Sequence, residues 1–549
     1  MPRSPLMRQV RQALHLSLAA QRAHLDDDHV LELRGQHFQH RRMLVRAGAS
    51  SGAALGLVAC GVSPGTPAAA GGNLQTLGVQ HNASPVVIVG AGIAGLTAGY
   101  RLRQAGVKVS IYEASARVGG RMLSLPNALG IKTAELGGEF IDSGHVHIRR
   151  LAAELGLALN DNLASDASLT SQDRYEFGGR IVSTAEVIRA FQPLAERITL
   201  DLTNLNVDTV SYKTPGNGGQ LDRTSISQYL RRAGVSGFLY DLLDVAYTTE
   251  YGLDISEQSC LNLLYLIGTD PGRFDIFGVS DEQYTTALGN GSIPQRLAQR
   301  LTSDLSLGQR LSAVTERKDG RYALTFTAGG RESDVLASQV ILTLPFALLR
   351  QVDLRVKLPP AKRRAIAQLS YGTNAKLIPG FTERVWRTRY GCVGGTYSDL
   401  GYQQTWESSR ASGTGPAGLL TNFVGGRRGI QIGEGSPEAQ TGTWLAQIEQ
   451  LFPGIRAARN SGTALRAHWP SNPYSLGSYS AYRPGDWTGF SGAEGEAVGG
   501  LHFAGEHTSS AAQGYMEGGC ESGERAATEV LSALGITART PRSAQLTPA

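Results

Sequence analysis

The sequence predicts an α/β protein built on a parallel sheet covered by helices, together with a second region of mixed strands and helices. An apolar run at residues 86–89 enters a glycine-rich turn, which indicates a buried strand followed by a helix. A second apolar run at 107–112 ends in an acid, Glu113. The length of 549 residues exceeds what one core accommodates, so two or three domains are expected.

The turn after the first strand has the pattern Gly90-x-Gly92-x-x-Gly95. Gly90 permits a tight turn, Gly92 lets backbone amides approach a diphosphate, and Gly95 lets helix and strand pack closely. The positive end of the helix favours phosphate, and Glu113 is placed to accept from a ribose hydroxyl. The glycines alone are a weak signal, but strand, turn, helix and acid together predict a dinucleotide-binding unit.

A second glycine pair, Gly119-Gly120, lies between Arg117 and Arg121. This segment resembles the signature of glutathione-reductase-like FAD enzymes and, within them, of the flavin amine oxidases; the alternative is a solvated basic loop. The order of segments resembles that family from Ile88 to the C-terminal helix. The resemblance implies a glutathione-reductase-like FAD-binding Rossmann domain with an interleaved mixed α+β substrate domain and a helical subdomain.

Local signals predict the further elements. They are a helix at 148–155 stopped by Gly156, a helix capped by Ser183 and Glu186 and kinked at Pro193, helices from Ser225 and over 238–247, a turn and helix at 289–303, strands at 311–316 and 322–326 joined by Asp319-Gly320, a strand at 340–345, and a helix at 519–534.

The corresponding domain organisation interleaves the segments of each domain. It comprises a signal peptide at 1–60, a flexible linker at 61–84, FAD-binding segments at 85–156, 285–345 and 466–536, a helical substrate segment at 157–284, a substrate-binding segment at 346–465, and a disordered tail at 537–549.

The resemblance also implies where FAD lies. Arg117 and Arg121 would serve the diphosphate, Glu113 and Glu506 the sugar portions, and Val314 the adenine side. The complete implied set is Gly90, Gly92, Ile93, Ala94, Gly95, Glu113, Ala114, Arg117, Gly120, Arg121, Val314, Gly505, Glu506, Gly514, Tyr515 and Met516.

Three residues match positions that the family places around the isoalloxazine ring. Tyr479 and Tyr515 match its two facing aromatics, and Lys376 matches a lysine that hydrogen-bonds through water to flavin N5. Ser478 stands where some members carry the cysteine that attaches FAD, so non-covalent binding is implied. The ordinary alternatives are core tyrosines and a surface lysine.

Two substrate classes stay open, an L-amino acid and a primary amine. Many L-amino-acid oxidases carry a carboxylate-binding arginine where this chain has Phe140, which favours a simple amine or a carboxylate held by another arginine. The stretches at 139–142, 249–252 and 482–487 instead resemble exported bacterial L-amino-acid oxidases. Glu250 either faces a substrate ammonium or is a solvated loop acid, and Phe140 and Tyr479 are the other candidate substrate residues.

The implied activity is oxidative deamination with O2, giving an imine, then a keto acid or aldehyde with ammonia, and H2O2. An FAD-dependent desaturase of the carotenoid or porphyrinogen type and a non-catalytic flavin-binding lipoprotein are the alternatives. Residues 1–59 carry eight arginines and four acids, and so most of the net charge of +5. The rest of the chain is nearly neutral, which excludes a nucleic-acid-binding role. A homodimer is left open.

The N-terminal region resembles a twin-arginine signal peptide with a bacterial lipobox. Arg41-Arg42 precedes a weakly apolar stretch that is too short to span a bilayer, and Cys60 follows small residues. This predicts export to the periplasm or cell envelope, with Cys60 as a lipid anchor; a plain secretory cleavage site is the alternative. The remaining cysteines, Cys260, Cys392 and Cys520, have no metal or disulfide spacing and are expected to be buried. His145 and His147 are expected to be polar surface residues without a metal.

Overall fold

The computed structural model describes residues 86–410, 415–462 and 464–537. The predicted signal peptide with Arg41, Arg42 and Cys60, the predicted linker, and the tail from residue 538 lie outside the described residues. No helix within the described ranges is long and apolar enough to cross a membrane.

A parallel sheet forms the centre of the nucleotide-binding region. Its middle strand, Val86–Val89, is buried throughout, as expected of a strand covered on both faces. Gly90 ends the strand, and the helix Ile93–Gln104 begins directly after the turn. The strands in spatial order are Leu501–Phe503, Gln339–Leu342, Val86–Val89, Val109–Tyr112 and Leu305–Ser306, all paired in parallel.

A four-stranded sheet packs against this region, where the rings of Tyr112 and Phe326 stack 4.3 Å apart. Its central hairpin confirms the predicted strands, which run over Arg310–Glu316 and Tyr322–Ala328 around Gly320. In spatial order its strands are Arg331–Ala337, Tyr322–Ala328, Arg310–Glu316 and Asp353–Arg355.

The largest sheet among the described residues has eight strands, and it corrects one expectation. The segment 157–284 was predicted as helical with long loops, yet its strands Ser171–Phe177 and Arg180–Val182 extend this sheet, the former pairing in parallel with Cys392–Ser398. The path is Leu465–His468, Ala375–Ile378, Gly418–Val424, Gln403–Glu407, Cys392–Ser398, Ser171–Phe177 and Arg180–Val182, with Gly380–Phe381 beside Gly418–Val424. Short pairs are Ser124–Ala128 with Ile131–Glu135, Leu159–Asp161 with Tyr284–Thr286, and Ser370–Tyr371 with Ser480–Ala481.

Helices cover these sheets. Both predicted serine caps are present, because Ser183 and Ser225 each accept from the backbone amide three residues later. The helices are Ile93–Gln104, Val146–Glu154, Asn162–Asp166, Thr184–Asn204, Gly219–Asp222, Ile226–Arg232, Phe238–Tyr251, Cys260–Leu266, Ser292–Arg300, Phe346–Leu349, Pro360–Gln368, Val385–Thr388, Gly426–Gln431, Pro437–Ile448, Asp486–Gly489 and Met516–Ala533. Single 3₁₀ turns are Thr302–Asp304, Trp469–Ser471, Ala493–Gly495 and Glu506–Thr508.

Two helices extend beyond their predicted ends. Phe238–Tyr251 is four residues longer than expected and stops at Gly252 in the left-handed conformation, so Glu250 is not a loop residue. The helix Met516–Ala533 begins three residues before its predicted start at Gly519. The prediction for the cysteines is confirmed, since Cys260, Cys392 and Cys520 are all buried.

Candidate active site

One cavity of about 600 Å³ runs from the glycine turn of the central sheet to the large substrate-side sheet. Segments far apart in the chain meet there, and among them lie both predicted tyrosines, Tyr479 and Tyr515, and the predicted lysine, Lys376. A concave site of this size at the carboxyl ends of parallel strands is the expected place for a ligand.

The glycine turn leaves space for a ligand on one side only. A Cβ added at Gly95 would lie 2.0 Å from the carbonyl oxygen of Gly90, and one at Gly90 would lie 2.3 Å from the hydroxyl oxygen of Thr343. A Cβ at Gly92 would meet nothing within 4 Å, and Gly92 borders the cavity. No side chain caps the helix that begins at Ile93, so its first amides face open space. These features fit a diphosphate.

Glu113 connects the glycine turn to the second strand. Its two carboxylate oxygens accept from the backbone amides of Ala91 and Ser115, each at 2.8 Å, while the residue lines the cavity. Because each oxygen has a further lone pair, the predicted contact with a ribose hydroxyl is compatible with these bonds. Arg117, also on the cavity, donates to the carbonyls of Val118 and Gly120 in its own loop.

Arg121 and Glu506 join two remote cavity segments. The guanidinium of Arg121 donates to a carboxylate oxygen of Glu506 at 2.7 Å and to the carbonyl of Ser478 at 2.8 Å. Glu506 also accepts from the hydroxyl of Ser480 and the amide of Gly514. Burial opposes ionisation of Glu506, but Arg121 and the other donors outweigh it, so its pKa lies below the ordinary value. Glu506 therefore holds the turn before Tyr515 against the segment that carries Tyr479.

The two tyrosines converge on one end of the helix Phe238–Tyr251. The Tyr479 hydroxyl donates to the carbonyl of Thr249 at 3.2 Å, and the Tyr515 hydroxyl donates to the Glu250 carboxylate at 3.3 Å. A Cβ at Gly514, next to Tyr515, would be 3.7 Å from the ring of Tyr479. Residues 36 positions apart in sequence thus form adjoining walls of the cavity.

Lys376 has a partner that sequence reasoning missed. Its ammonium donates to Glu139 Oε2 at 2.7 Å and to the carbonyls of Gly137 and Glu135 at 2.8 and 3.1 Å. Both charged side chains are almost fully buried, at 6% and 4% exposed. Three acceptors fix the ammonium, so Lys376 is a rigid cation on the cavity wall and not a surface lysine.

Carboxylates dominate the wall beside the tyrosines. Glu250, Glu282, Asp142 and Glu139 all line the cavity. Burial raises the pKa of Glu250 to about 7, partly offset by the hydrogen bond from Tyr515. Burial likewise raises the pKa of Glu282 to about 8. The alternative that Glu250 is a solvated loop acid is therefore wrong.

Aromatic side chains line the cavity near Lys376 and Glu139. Phe140 packs edge-on against Trp406 with ring centroids 5.7 Å apart, and Trp406 packs against Phe423 at 4.9 Å. All three line the cavity, and the Lys376 ammonium lies 5.4 Å from the Trp406 ring. These rings give the Lys376 ammonium an apolar neighbour on this side.

The prediction of polar surface residues fails for His145 and holds in part for His147, whose side chain is 29% exposed. The His145 ring lies edge-on to Tyr515 at 5.3 Å and close to Asp142, and its side chain is 12% exposed. His147 binds the Glu524 carboxylate at 2.7 Å, and this hydrogen bond raises its pKa. Within the described residues, no group of three His, Cys, Asp or Glu side chains is arranged to hold a metal.

The structure brings most of the predicted set together and separates two members from it. Val314 is fully buried in its strand and does not line the cavity; Gln309, Arg310 and Leu311 do so instead. Gly95 lies behind the turn and acts through packing. Those that line the cavity are Gly90, Gly92, Ile93, Ala94, Glu113, Ala114, Arg117, Gly120, Arg121, Phe140, Glu250, Lys376, Tyr479, Gly505, Glu506, Gly514, Tyr515 and Met516.

Ser478 lines the cavity and is hydrogen-bonded within the protein. Its hydroxyl donates to the side-chain oxygen of Asn374 at 2.6 Å, and none of the described cysteines lines the cavity. The open turn at Gly92, the uncapped helix and the aromatic walls fit FAD.

Comparison with known proteins gives a consistent result. The family model for flavin containing amine oxidoreductases matches residues 93–531. Flavin-containing amine oxidase A of Sus scrofa is 25% identical over 473 residues, covering 82% of this chain and 85% of that protein. Flavin-containing amine oxidase B of Bos taurus is 26% identical over 468 residues, covering 82% and 86%.

Solved structures share the fold. Cyclohexylamine oxidase from Brevibacterium oxydans IH-35A has a TM-score of 0.70 at 21% identity, covering 82% of this chain and 100% of its own. Wild-type putrescine oxidase bound to putrescine has a TM-score of 0.69 at 20% identity, covering 82% and 99%. At this identity the likeness establishes the architecture, a Rossmann-type FAD-binding region with mixed sheets.

Proposed function

Since this chain belongs to the flavin-containing amine oxidoreductases, we propose that it is an oxidase that deaminates a primary amine with O2 and releases H2O2. The observation that carries the proposal is the convergence of Tyr479, Tyr515 and Lys376 in the cavity that begins at the glycine turn. When bound, non-covalent FAD supplies the acceptor for a hydride from the carbon that bears nitrogen, and O2 reoxidises it.

The protein's own residues would prepare the amine. Tyr479 and Tyr515 confine it between two aromatic faces, and the walls of Phe140 and Trp406 keep water away. Glu250 adjoins Tyr515 and has a pKa near 7, so its carboxylate is placed to take the proton from a substrate ammonium. The neutral amine is the form from which a hydride can leave.

The charges of the cavity favour an amine without a carboxylate. Among the described residues of the segments 157–284 and 346–465, Lys376 is the only Lys or Arg that lines the cavity. Its three donors are already bound. Arg121 binds Glu506, and Arg310 binds Gln351. A substrate carboxylate would instead meet Glu139, Glu250 and Glu282.

An L-amino acid is the second candidate, favoured by Arg410. Its guanidinium lies 5.5 Å from the Phe140 ring and 3.4 Å from the Asp166 carboxylate. A small shift of that side chain would present a carboxylate-binding cation next to the position where the expected arginine is replaced by Phe140.

A substrate panel tests the proposal. Purified protein loaded with FAD is mixed with primary amines and L-amino acids, and H2O2 release is measured. Release with amines supports the main proposal, and release with amino acids alone supports the second. If no compound releases H2O2 or bleaches the flavin, the alternative of a non-catalytic flavin-binding lipoprotein replaces both.

Export and lipidation at Cys60 are proposed separately. Mass spectrometry of the mature N-terminus tests them.

A further inference from the structure

Asn290 joins a remote turn to the segment that runs from Glu135 to Glu139. Its side chain is fully buried, and Nδ2 donates to the carbonyls of Glu139 and Gly138 at 2.6 and 3.2 Å. Its Oδ1 accepts from the backbone amide of Thr286 at 3.0 Å. Its own backbone amide donates to Glu135 Oε1 at 2.8 Å. Three of these four hydrogen bonds therefore end on one short segment.

The same segment supplies every acceptor that the described residues give the Lys376 ammonium. These acceptors are the carbonyls of Glu135 and Gly137 and the carboxylate of Glu139. Glu139 takes part in both sets of contacts, since its carbonyl accepts from Asn290 and its carboxylate accepts from Lys376. Lys376 and Glu139 line the cavity, whereas Asn290 does not. Asn290 therefore holds the segment from outside the cavity, and the segment holds the ammonium.

The turn itself is closely packed on the hairpin that leads into the segment. A Cβ added at Gly289, whose φ is +83°, would lie 2.6 Å from the Thr133 side chain and 2.7 Å from that of Ser124. The amide of Gly291 donates to the Ser124 hydroxyl at 2.8 Å, and this hydroxyl donates to Glu135 Oε2 at 2.7 Å. A turn packed in this way is a rigid base for the amide side chain.

Other contacts hold the part of the cavity that would receive the amine. Tyr479 donates to the carbonyl of Thr249, and Tyr515 donates to the carboxylate of Glu250. The hydrogen bonds of the Asn290 side chain reach none of these four residues. A change at Asn290 should therefore affect Lys376 and spare the tyrosines.

We propose that Asn290 is a positioning residue for the reaction with O2, because it holds the segment 135–139 and thereby the Lys376 ammonium in place. This inference rests on the proposed oxidase function. In that reaction O2 takes two electrons and two protons from FADH2 and becomes H2O2, and negative charge develops on oxygen before both protons arrive. A cation stabilises this charge best when its position is fixed before the reaction. Loss of the Asn290 amide should therefore slow the O2 step and leave amine oxidation unchanged.

Hydrogen exchange of the FAD-free protein tests the positioning without any turnover. The backbone amides of Leu136 and Gly138 donate to carbonyls of the preceding chain, so both report when the segment 135–139 opens. Asn290→Ala removes two donors to this segment and should raise the exchange rate of these amides about 10-fold or more. Mass spectrometry of the peptides that contain them measures the change.

Asn262→Ala is the matched control. Asn262 is likewise fully buried, its Nδ2 donates to the carbonyl of Tyr482 at 2.9 Å, and its Oδ1 accepts from the Trp487 ring. It does not line the cavity. Both variants lose a buried amide, so both should lower the free energy of unfolding. Exchange in the segment 135–139 and the O2 step should change in Asn290→Ala alone.

Stopped-flow traces of the FAD-loaded protein test the consequence. Asn290→Ala should lower the rate constant of reoxidation by O2 about 10-fold, while flavin reduction by a saturating amine stays within about 2-fold of the wild-type rate. In the background Glu139→Gln/Lys376→Met, which has no ammonium to position, Asn290→Ala should cause no further loss. Asn290→Ser keeps a hydroxyl donor and should have a smaller effect, and it replaces Asn290→Ala if that variant does not fold.

The outcomes separate this inference from the proposed function. Exchange or reoxidation that stays at the wild-type rate in Asn290→Ala would overturn the inference. An equal change in Asn262→Ala, or a further loss in the Glu139→Gln/Lys376→Met background, would also overturn it, because the effect would then not pass through Lys376. Reoxidation of Lys376→Met at the wild-type rate would do the same and leave amine oxidation standing. Absence of flavin reduction by every amine and amino acid would refute the proposed function itself.

Discussion

At the residue scale, the buried ion pair between Lys376 and Glu139 is the strongest constraint on the reaction centre. Each partner is almost fully removed from solvent, so neither charge is tolerable alone. Backbone carbonyls of Glu135 and Gly137 complete the cage. The pair fixes an ammonium on the wall of the same cavity that Tyr479 and Tyr515 line.

Lys376→Met should slow the reaction of reduced flavin with O2 by about 100-fold, because a nearby cation stabilises the charge that develops on oxygen. FAD should remain bound. Stopped-flow reoxidation traces measure this directly, and traces identical to those of the wild-type protein would remove Lys376 from the reaction centre.

The same substitution has a separable effect on stability. Leaving Glu139 unpaired should lower the free energy of unfolding by about 3–5 kcal/mol. The double variant Glu139→Gln/Lys376→Met removes the orphaned charge and should recover most of that loss while staying slow with O2. Recovery of the reaction rate together with stability would show that Lys376 acts only through the fold.

Glu250 predicts a pH dependence of stability. Burial raises its pKa from 4.5 to about 7, so the folded state retains a proton that the unfolded chain releases. The stabilisation is full below about pH 4.5 and is lost as the pH rises to about 7. As the pH rises through this range, the free energy of unfolding of Glu250→Gln relative to that of the wild-type protein should therefore increase by about 3 kcal/mol.

Denaturant unfolding of the FAD-loaded proteins at several pH values measures this difference. Glu332→Gln, at an exposed acid on an outer strand, reports the effect of the substitution alone. A constant difference between Glu250→Gln and the wild-type protein across pH would show that Glu250 is not held in a desolvating environment.

Sequence reasoning found those site residues that sit in local motifs. Tyr515 directly follows Gly514, Tyr479 lies two residues after Gly477, and both tyrosines line the cavity. Glu139 lies in the stretch 139–142, but the sequence predicts no role for it, because its partner Lys376 is 237 residues away. Only the folded chain brings these two charges together.

At the element scale, glycines let the helices Ile93–Gln104 and Met516–Ala533 approach each other closely. A Cβ at Gly523 would lie 2.4 Å from the carbonyl oxygen of Ala94, and one at Gly519 would lie 2.6 Å from the Ile93 side chain. The helix Met516–Ala533 therefore packs directly on Ile93–Gln104. The helix begins at Met516, three residues before the predicted start at Gly519. Glycine lowers helix propensity, but tertiary packing outweighs that cost here.

The glycine turn gives a prediction that separates ligand space from packing space. Gly92→Ala should change the stability of the FAD-free protein by less than about 1 kcal/mol and weaken FAD binding about 10-fold or more, because its Cβ points into free space at the cavity. Gly95→Ala should destabilise the FAD-free protein by about 2 kcal/mol or more through its clash with Gly90.

Thermal unfolding of the FAD-free variants and titration with FAD measure the two effects. Equal loss of stability in both variants would mean that the turn does not have one open and one packed side. Unchanged FAD affinity in Gly92→Ala would place the diphosphate elsewhere.

At the scale of the whole molecule, the cavity exists because distant segments return to one place. Arg121 and Glu506 are joined across 385 positions, and Glu506 in turn fixes the segments of both tyrosines. The order in which these segments reach the cavity was predictable from the order of their motifs along the chain. The pairing of Ser171–Phe177 with Cys392–Ser398 was not, since the partner strand lies more than 200 residues away and short strands carry weak periodicity.

The most direct test of the central claim, that these segments enclose FAD and a substrate amine, is an anaerobic titration of the FAD-loaded protein with amines while flavin absorbance is followed. We predict that the yellow colour bleaches with a substrate amine and returns when O2 is admitted, with release of H2O2. A protein that takes up no FAD, or whose flavin keeps its absorbance with every amine and amino acid, would contradict this account.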